Sequence, residues 1–243
     1  MSGAVPLASD TAMIMAAGYG KRMRPLTTTR PKPLVSVAGK PLIDHVFGKL
    51  WDAGITRSVV NVHYLADTLE AHLDVMSLPM EVKISDERDL LLETGGGMVK
   101  ALPLIERDPF FCINSDNIWL DGPRDVFTEL SNFWDADRMD ALLLVVPHKR
   151  ASQHKGMGDF HMDGHGRLSW RKPRRIAPYI YTGIQIVSHR LLRDAPEGPF
   201  STRILWERAV EEGRLFGAIH EGLWCDVGTP GAIAPTEDLL QYG

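Results

Sequence analysis

The sequence predicts an α/β fold: a mainly parallel central sheet with helices on both faces, continued by a smaller α+β part. Three observations carry this reading. Short, uninterrupted apolar runs recur along the first 146 residues, the pattern of strands buried on both faces. Between them lie segments with apolar residues at helical period, so the order is β-α-β-α, which argues for a parallel sheet. After His148 the rhythm changes to a glycine hairpin followed by mixed elements.

Ala12–Ala17 is a fully buried strand, apolar without alternation and closed by a glycine turn. Pro41–Ala53 is a helix: Leu42, Ile43, Val46, Phe47, Leu50 and Trp51 share one face, and Gly54 is a suitable stop. Ser58–Val62 is the second strand, followed by a short helix with Leu65, Leu69 and Leu73. Val82–Ser85 is a strand, Gly97–Leu104 a short helix and Phe110–Asn114 another buried strand. Val126, Phe127, Leu130, Phe133 and Trp134 form one face of the next helix, and Ala141–Val146 is a strand. Asp159–Met162 and Arg167–Trp170 flank Asp163-Gly164-His165-Gly166, a turn suited to a hairpin. Tyr179–Ser188 is a strand, Thr202–Glu212 a helix, Leu215–Ile219 a strand, and a last helix follows Pro230.

No linker, repeat or low-complexity stretch divides the chain. The expected organisation is a loose tail over 1–11 and one domain over 12–243, with a ligand-binding core over 12–147 and a second part over 148–243. The tail lacks the Lys or Arg of a signal peptide, so a cytoplasmic protein is expected. Across 243 residues, 27 Lys+Arg stand against 31 Asp+Glu, a net charge of −4. That balance excludes a bulk basic surface for nucleic acid. No apolar stretch is long enough for a membrane helix. Two cysteines, Cys112 and Cys225, make neither a disulfide framework nor a four-cysteine zinc site, and both read as buried thiols. The histidines are scattered singly and take no role.

Six segments carry chemistry. Ala16-Ala17-Gly18-Tyr19-Gly20-Lys21-Arg22 follows the first strand, where open α/β sheets bind ligands. Its glycines allow backbone N–H groups near phosphate oxygens, and Lys21, Arg22 and Arg24 add charge. It is not a dinucleotide fingerprint, since Met23 stands at the third glycine, nor a Walker A loop, since Arg22 follows Gly20-Lys21. Pro31-Lys32-Pro33-Leu34 holds Lys32 in an extended stretch, either solvated or pre-organised to meet an anion. Glu93-Thr94-Gly95-Gly96-Gly97 is a flexible loop or a close backbone approach to a planar base. Asn114-Ser115-Asp116-Asn117 ends a strand, placing Asp116 at the ligand crevice as a Mg²⁺ candidate or in a plain Asx turn. The remaining segments are Trp224-Cys225-Asp226-Val227-Gly228-Thr229-Pro230 and the basic run Arg171-Lys172-Pro173-Arg174-Arg175.

In this order the motifs resemble those of the sugar-phosphate nucleotidyltransferases, whose Ala-Ala-Gly-x-Gly-x-Arg-x-x-Pro-Leu-Thr signature is followed by Pro-Lys-Pro-Leu. The likeness runs from Ala12 to the last helix. It implies a Rossmann-like three-layer fold that transfers a nucleoside monophosphate from an NTP to a sugar 1-phosphate and releases pyrophosphate. The resemblance implies that Ala16, Ala17, Gly18, Gly20, Lys21 and Arg22 hold the nucleotide, Arg22 neutralising its phosphates, and that Lys32 sits at the reacting phosphates. It implies nucleobase recognition at Glu93, Thr94, Gly95, Gly96 and Gly97, a wording similar to the branch that uridylylates N-acetylmuramate 1-phosphate. Asp116 and Asp226 match the family's Mg²⁺ ligands, with Ser115 where the family has glycine. Asn114, Thr182, Gly183 and Lys172 match the sugar-phosphate side. Arg171 replaces a glutamate there; it, Arg174 or Arg175 would suit an acidic sugar. UTP is the expected donor. Guanylyl transfer to a mannose, heptose or glucose 1-phosphate, cytidylyl transfer to phosphocholine, and a non-catalytic nucleotide-sugar-binding subunit are the alternatives.

Overall fold

The computed structural model describes residues 6–76, 79–151 and 156–242. In chain order the first half contains β1 (Thr11–Met15), β2 (Ser36–Val37), β3 (Lys40–Pro41), α1 (Leu42–Asp52), β4 (Arg57–Val62), α2 (Ala66–Val75), β5 (Glu81–Asp86) and α3 (Glu93–Ala101). There follow β6 (Phe110–Asn114), β7 (Asn117–Leu120), α4 (Val126–Phe133), β8 (Ala141–Pro147), β9 (Phe160–Met162) and β10 (Leu168–Trp170). The chain finishes with β11 (Tyr179–Val187), α5 (Arg203–Glu211), β12 (Leu215–Ile219), β13 (Leu223–Asp226) and α6 (Ile233–Tyr242).

One nine-stranded sheet spans both halves. It runs β5-β4-β1-β6-β11-β8-β12, with the hairpin β9–β10 beside the start of β11. The β1–β4, β1–β6, β4–β5 and β8–β12 pairs are parallel, and β11 is antiparallel to both β6 and β8. Two core layers explain why the strands read as unbroken apolar runs. Ala12 and Ile14 of β1 point to one layer with Phe47 and Leu50 of α1, Leu69 of α2 and Phe127 of α4. Met13 points to the other, with Met98 of α3 and Leu205 of α5. Leu142 and Leu144 of β8 face the first layer, Leu143 and Val145 the second. Period-two alternation is present in space but both destinations are apolar, so the expected α/β class is what forms.

Several boundaries differ from expectation. The stretch 6–11 is not loose: Leu7 and Ala8 rest on the core, the Ala8 amide donates to Ser131 Oγ at 2.9 Å, and Thr11 belongs to β1. Residues 1–5 of the expected tail lie outside the described residues. Trp51 of α1 and Phe133 of α4, placed on the apolar faces by periodicity, are exposed, while their neighbours Leu50 and Trp134 pack on the core. The bend of β11 lies at Gly183, between two stretches of register with β8. Its φ is 84°, and a Cβ there would stand 2.2 Å from Asn117 Nδ2, so only glycine fits.

The largest correction concerns the glycine triplet: the helix expected to begin at Gly97 begins at Glu93, so Gly95 and Gly96 lie inside α3 rather than in a loop before it. A Cβ on Gly95 would fall 2.3 Å from the Phe200 ring, and one on Gly96 would fall 2.4 Å from the Gly198 carbonyl oxygen. One on Gly97 would meet Glu87 Oε1 at 2.8 Å. Glycine is disfavoured in a helix, but here it lets neighbouring backbone and a buried carboxylate lie directly against the helix. Among the described residues no helix is long and apolar enough to cross a membrane.

Asp140, at the entrance to β8, is buried and its Oδ1 accepts from Arg190 Nε at 2.5 Å and Arg214 Nε at 2.6 Å. Asp140→Ala leaves two partly covered guanidinium groups without their carboxylate. It should cost about 3 kcal/mol, read as a lower urea midpoint at unchanged slope; a loss under about 1 kcal/mol would demote the pair to a surface contact. Gly96→Ala tests the helix packing. Helix propensity alone would stabilise it by about 1 kcal/mol, whereas the clash with backbone should destabilise it by about 1–3 kcal/mol. A stabilised variant in the same denaturation experiment would show that the segment around Gly198 yields freely.

Candidate active site

The loop after β1 is pinned at both ends. Ala16 N donates to Asn61 Oδ1 at 2.6 Å, and the Thr27 hydroxyl donates to the Gly20 carbonyl at 2.8 Å. Gly20 has a φ of 60°, and a Cβ on it would meet Lys32 Cβ at 2.9 Å. The glycine loop and the Pro-Lys-Pro segment therefore pack on each other, which neither motif reveals alone. Buried Met23 anchors the 3₁₀ turn Lys21–Met23, so Lys21 and Arg22 remain exposed. A second 3₁₀ turn, Lys32–Leu34, follows Pro31, and the Lys32 ammonium bonds Asp116 Oδ2.

Asn61 and Glu87 form the floor behind this loop, and sequence reasoning missed both. Asn61 Nδ2 donates to Glu87 Oε1 at 2.8 Å, and Glu87 Oε2 accepts from Leu92 N at 3.0 Å. A lone Asn in a strand and a lone Glu in a loop carry no sequence signal, since their meaning lies in the contact between them. Tyr19 covers the rim. The His63 Nδ1–H donates to the Glu87 carbonyl at 2.7 Å, because a carbonyl can only accept, and Nε2 lies within hydrogen-bond distance of the Tyr19 hydroxyl at 3.1 Å.

The two aspartates meet through a ribbon absent from the sequence reading. β7 and β13 pair antiparallel with Asn117 opposite Asp226, and Val227 N donates to the Asp116 carbonyl at 3.0 Å. At the Cβ position of Gly228 the two terminal nitrogens of Arg22 and Asp226 Oδ1 each lie 3.1 Å away. Arg22, Lys32, Asp116 and Asp226, widely separated in sequence, thus form one cluster of alternating charge.

A cleft of about 540 Å³ opens over it. Ala16, Ala17, Gly18, Gly20, Lys21, Arg22, Lys32, Glu93, Thr94, Asn114 and Asp116 line it, as their segments suggested, together with Tyr19, Asn61 and Ser201. Gly95, Gly96 and Gly97 do not. They are buried, and the amides of Gly95 and Gly96 donate to the Phe200 carbonyl at 2.9 and 3.2 Å. The segment that reaches the cleft is Glu93-Thr94, with Glu93 held at a φ of 59°, an uncommon conformation for a residue with a Cβ.

A second lobe of about 220 Å³ shares Met15, Thr94, Asn114 and Ser201 with the first, and adds Cys112, Tyr181, Gln185, Thr202, Arg203 and Trp206. Burial pushes the Tyr181 phenol above its ordinary value and the Cys112 thiol up to about 12, so both stay protonated and neutral. The Thr182 hydroxyl is spent on the Leu144 carbonyl at 2.8 Å, so Tyr181 rather than Thr182 faces the lobe, and Gly183 shapes the bend beneath Asn114 and Asn117. Arg171 and Lys172 line neither lobe. Arg171 Nε donates to the Gly158 carbonyl at 3.1 Å and one terminal nitrogen to the Arg175 carbonyl at 3.3 Å. Lys172 lies exposed in the turn that Arg175 N closes onto its carbonyl. The exposed residues Arg174 and Arg175 continue that turn.

A phosphate-sized anion in the first lobe would meet Lys21, Arg22 and Lys32 together; of the two aspartates, Asp116 lines the lobe and Asp226 Oδ1 lies beside Gly228, which also lines it. Comparison with known proteins agrees with that chemistry. The description "Nucleotidyl transferase" matches residues 11–241. The chain is 42% identical over 236 residues to N-acetylmuramate alpha-1-phosphate uridylyltransferase of Caulobacter vibrioides, covering 96% of this chain and 98% of the relative. It is 34% identical to the protein of the same name from Neisseria meningitidis, covering 90% and 93%. The fold of HddC from Yersinia pseudotuberculosis, crystallised in complex with GMP-PN, superposes with a TM-score of 0.75 at 22% identity, over 95% of this chain and 99% of that one. By the match along nearly its whole length and by these relatives, the chain belongs to the nucleotidyl transferase family.

Proposed function

We propose that this nucleotidyltransferase moves UMP from UTP to N-acetylmuramate 1-phosphate, giving UDP-N-acetylmuramate and pyrophosphate. The observation that carries the reaction class is the convergence of Arg22, Lys32, Asp116 and Asp226 at one end of a cleft large enough for a nucleotide. The donor and acceptor are supported by the two relatives that span this chain nearly end to end and carry that name.

The reaction needs no general base. A sugar phosphate has its second pKa near ~6 and is already nucleophilic at neutral pH. The barrier is the approach of two polyanions, which positioned cations lower. In this reading the nucleoside lies along Ala16–Gly20 and Glu93-Thr94. Arg22 draws charge toward the departing pyrophosphate, and Lys32 holds the α-phosphate against the incoming sugar phosphate. Asn114, shared by both lobes, marks the passage from phosphate to sugar.

Asp116 and Asp226 fit Mg²⁺, being hard oxygen donors on neighbouring ends of one ribbon, in a number that leaves the other coordination positions to phosphate oxygens. When bound, the ion would polarise the α-phosphate as a Lewis acid. Lys32 now bonds Asp116, so the same carboxylate also fixes the lysine.

Turnover should be highest for UTP with N-acetylmuramate 1-phosphate in a matrix of four NTPs against N-acetylmuramate, N-acetylglucosamine, glucose and mannose 1-phosphates. A maximum at GTP with mannose 1-phosphate would overturn the substrate reading and leave the reaction class standing. Asp116→Asn and Asp226→Asn should each lower kcat about a hundredfold or more with folding unchanged by circular dichroism. Near wild-type kcat at saturating Mg²⁺ in either variant would remove that aspartate from the metal site.

A further inference from the structure

We propose that Arg203, the first residue of α5, selects the acidic sugar, and that the basic turn Arg171–Arg175 does not. The inference rests on the substrate reading above. N-acetylmuramate differs from N-acetylglucosamine by a lactyl ether that ends in a carboxylate, so discrimination requires a cation where the sugar lies.

Among the described residues lining the second lobe, Arg203 is the one that carries a charge. The other walls are apolar, amide or hydroxyl groups, together with the protonated Cys112 thiol. No carboxylate lines the lobe to compete for Arg203 from within.

The side chain is oriented before any ligand arrives. Its guanidinium lies 4.6 Å from the centroid of the Trp170 ring, and its Nε donates to Glu207 at 3.0 Å, one turn along α5. Its two terminal nitrogens have no hydrogen-bond partner among the described residues. That is the fork a carboxylate accepts in bidentate fashion. Arg171 differs on each count. It lines neither lobe, and two of its nitrogens already hold the carbonyls of Gly158 and Arg175.

The test compares kcat/KM for N-acetylmuramate 1-phosphate and N-acetylglucosamine 1-phosphate at saturating UTP. The wild type should favour the acidic sugar by roughly ten- to a hundredfold, the worth of one charge-assisted pair. Arg203→Ala should bring the ratio near one, mainly through KM for the acidic sugar, and Arg203→Lys should keep part of the preference. Arg171→Gln should affect both sugars alike and leave the ratio. A wild-type ratio in Arg203→Ala overturns the assignment while the substrate reading survives. A ratio that collapses in Arg171→Gln instead returns the role to the basic turn. A wild type with no preference for the acidic sugar overturns the substrate reading and this inference with it.

Discussion

The pairing of β7 with β13 is the constraint on which the site depends. These strands are four residues each, in a two-stranded sheet separate from the main one. Their register puts Asn117 opposite Asp226 and ties Val227 to the Asp116 carbonyl. A one-residue slip would turn the side chains of one strand to the other face. Asp226 would then leave the cluster. The side of the site opposite the ribbon depends on it too: Lys32 is placed by its bond to Asp116, and Gly20 must lack a side chain because Lys32 packs against it. Small residues on the loop, a rigid lysine segment and two distant aspartates are consequences of one local geometry.

The helix α3 shows a second use of glycine. Its triplet lets Phe200, the Gly198 carbonyl and the Glu87 carboxylate approach a helix that would otherwise hold them off by a side chain. The Phe200 carbonyl takes the first helical amides, and Thr94 Oγ1 accepts from Thr202 N at 2.9 Å. That contact links the wall of the first lobe to the start of α5, so the two lobes share one partition.

The fold class was readable because central strands such as β1, β6 and β8 are apolar on both faces, which leaves an uninterrupted run in the sequence. The glycine loop and Asp116 were readable because they follow the ends of such runs, where ligands bind, whereas Lys32 lies away from any long strand and drew its meaning from the resemblance of its Pro-Lys-Pro segment. What could not be read is what depends on pairing. β7 and β13 are short and lie inside segments that look like ligand loops, so their periodicity is masked. Asn61, Glu87 and Arg203 are ordinary residues in ordinary contexts, and only their neighbours give them meaning. The glycines of α3 were misassigned to a loop because intrinsic propensity disfavours glycine in helices. Tertiary crowding overrides that preference here. Arg171 looked available because a sequence does not show which backbone carbonyls a guanidinium will find.

Among the described residues the main sheet ends at β5, which pairs with β4 alone. That border strand carries Glu81, Lys83 and Asp86, and Lys83 is held by Glu106 at 2.9 Å and by Glu81 at 3.6 Å. An unpaired strand offers its free amides and carbonyls to any other extended chain, and charged side chains along it make such pairing costly. The pairing it guards against is that of two copies of this chain joined edge to edge, so the charged margin that ends the sheet also disfavours its continuation into a neighbouring molecule.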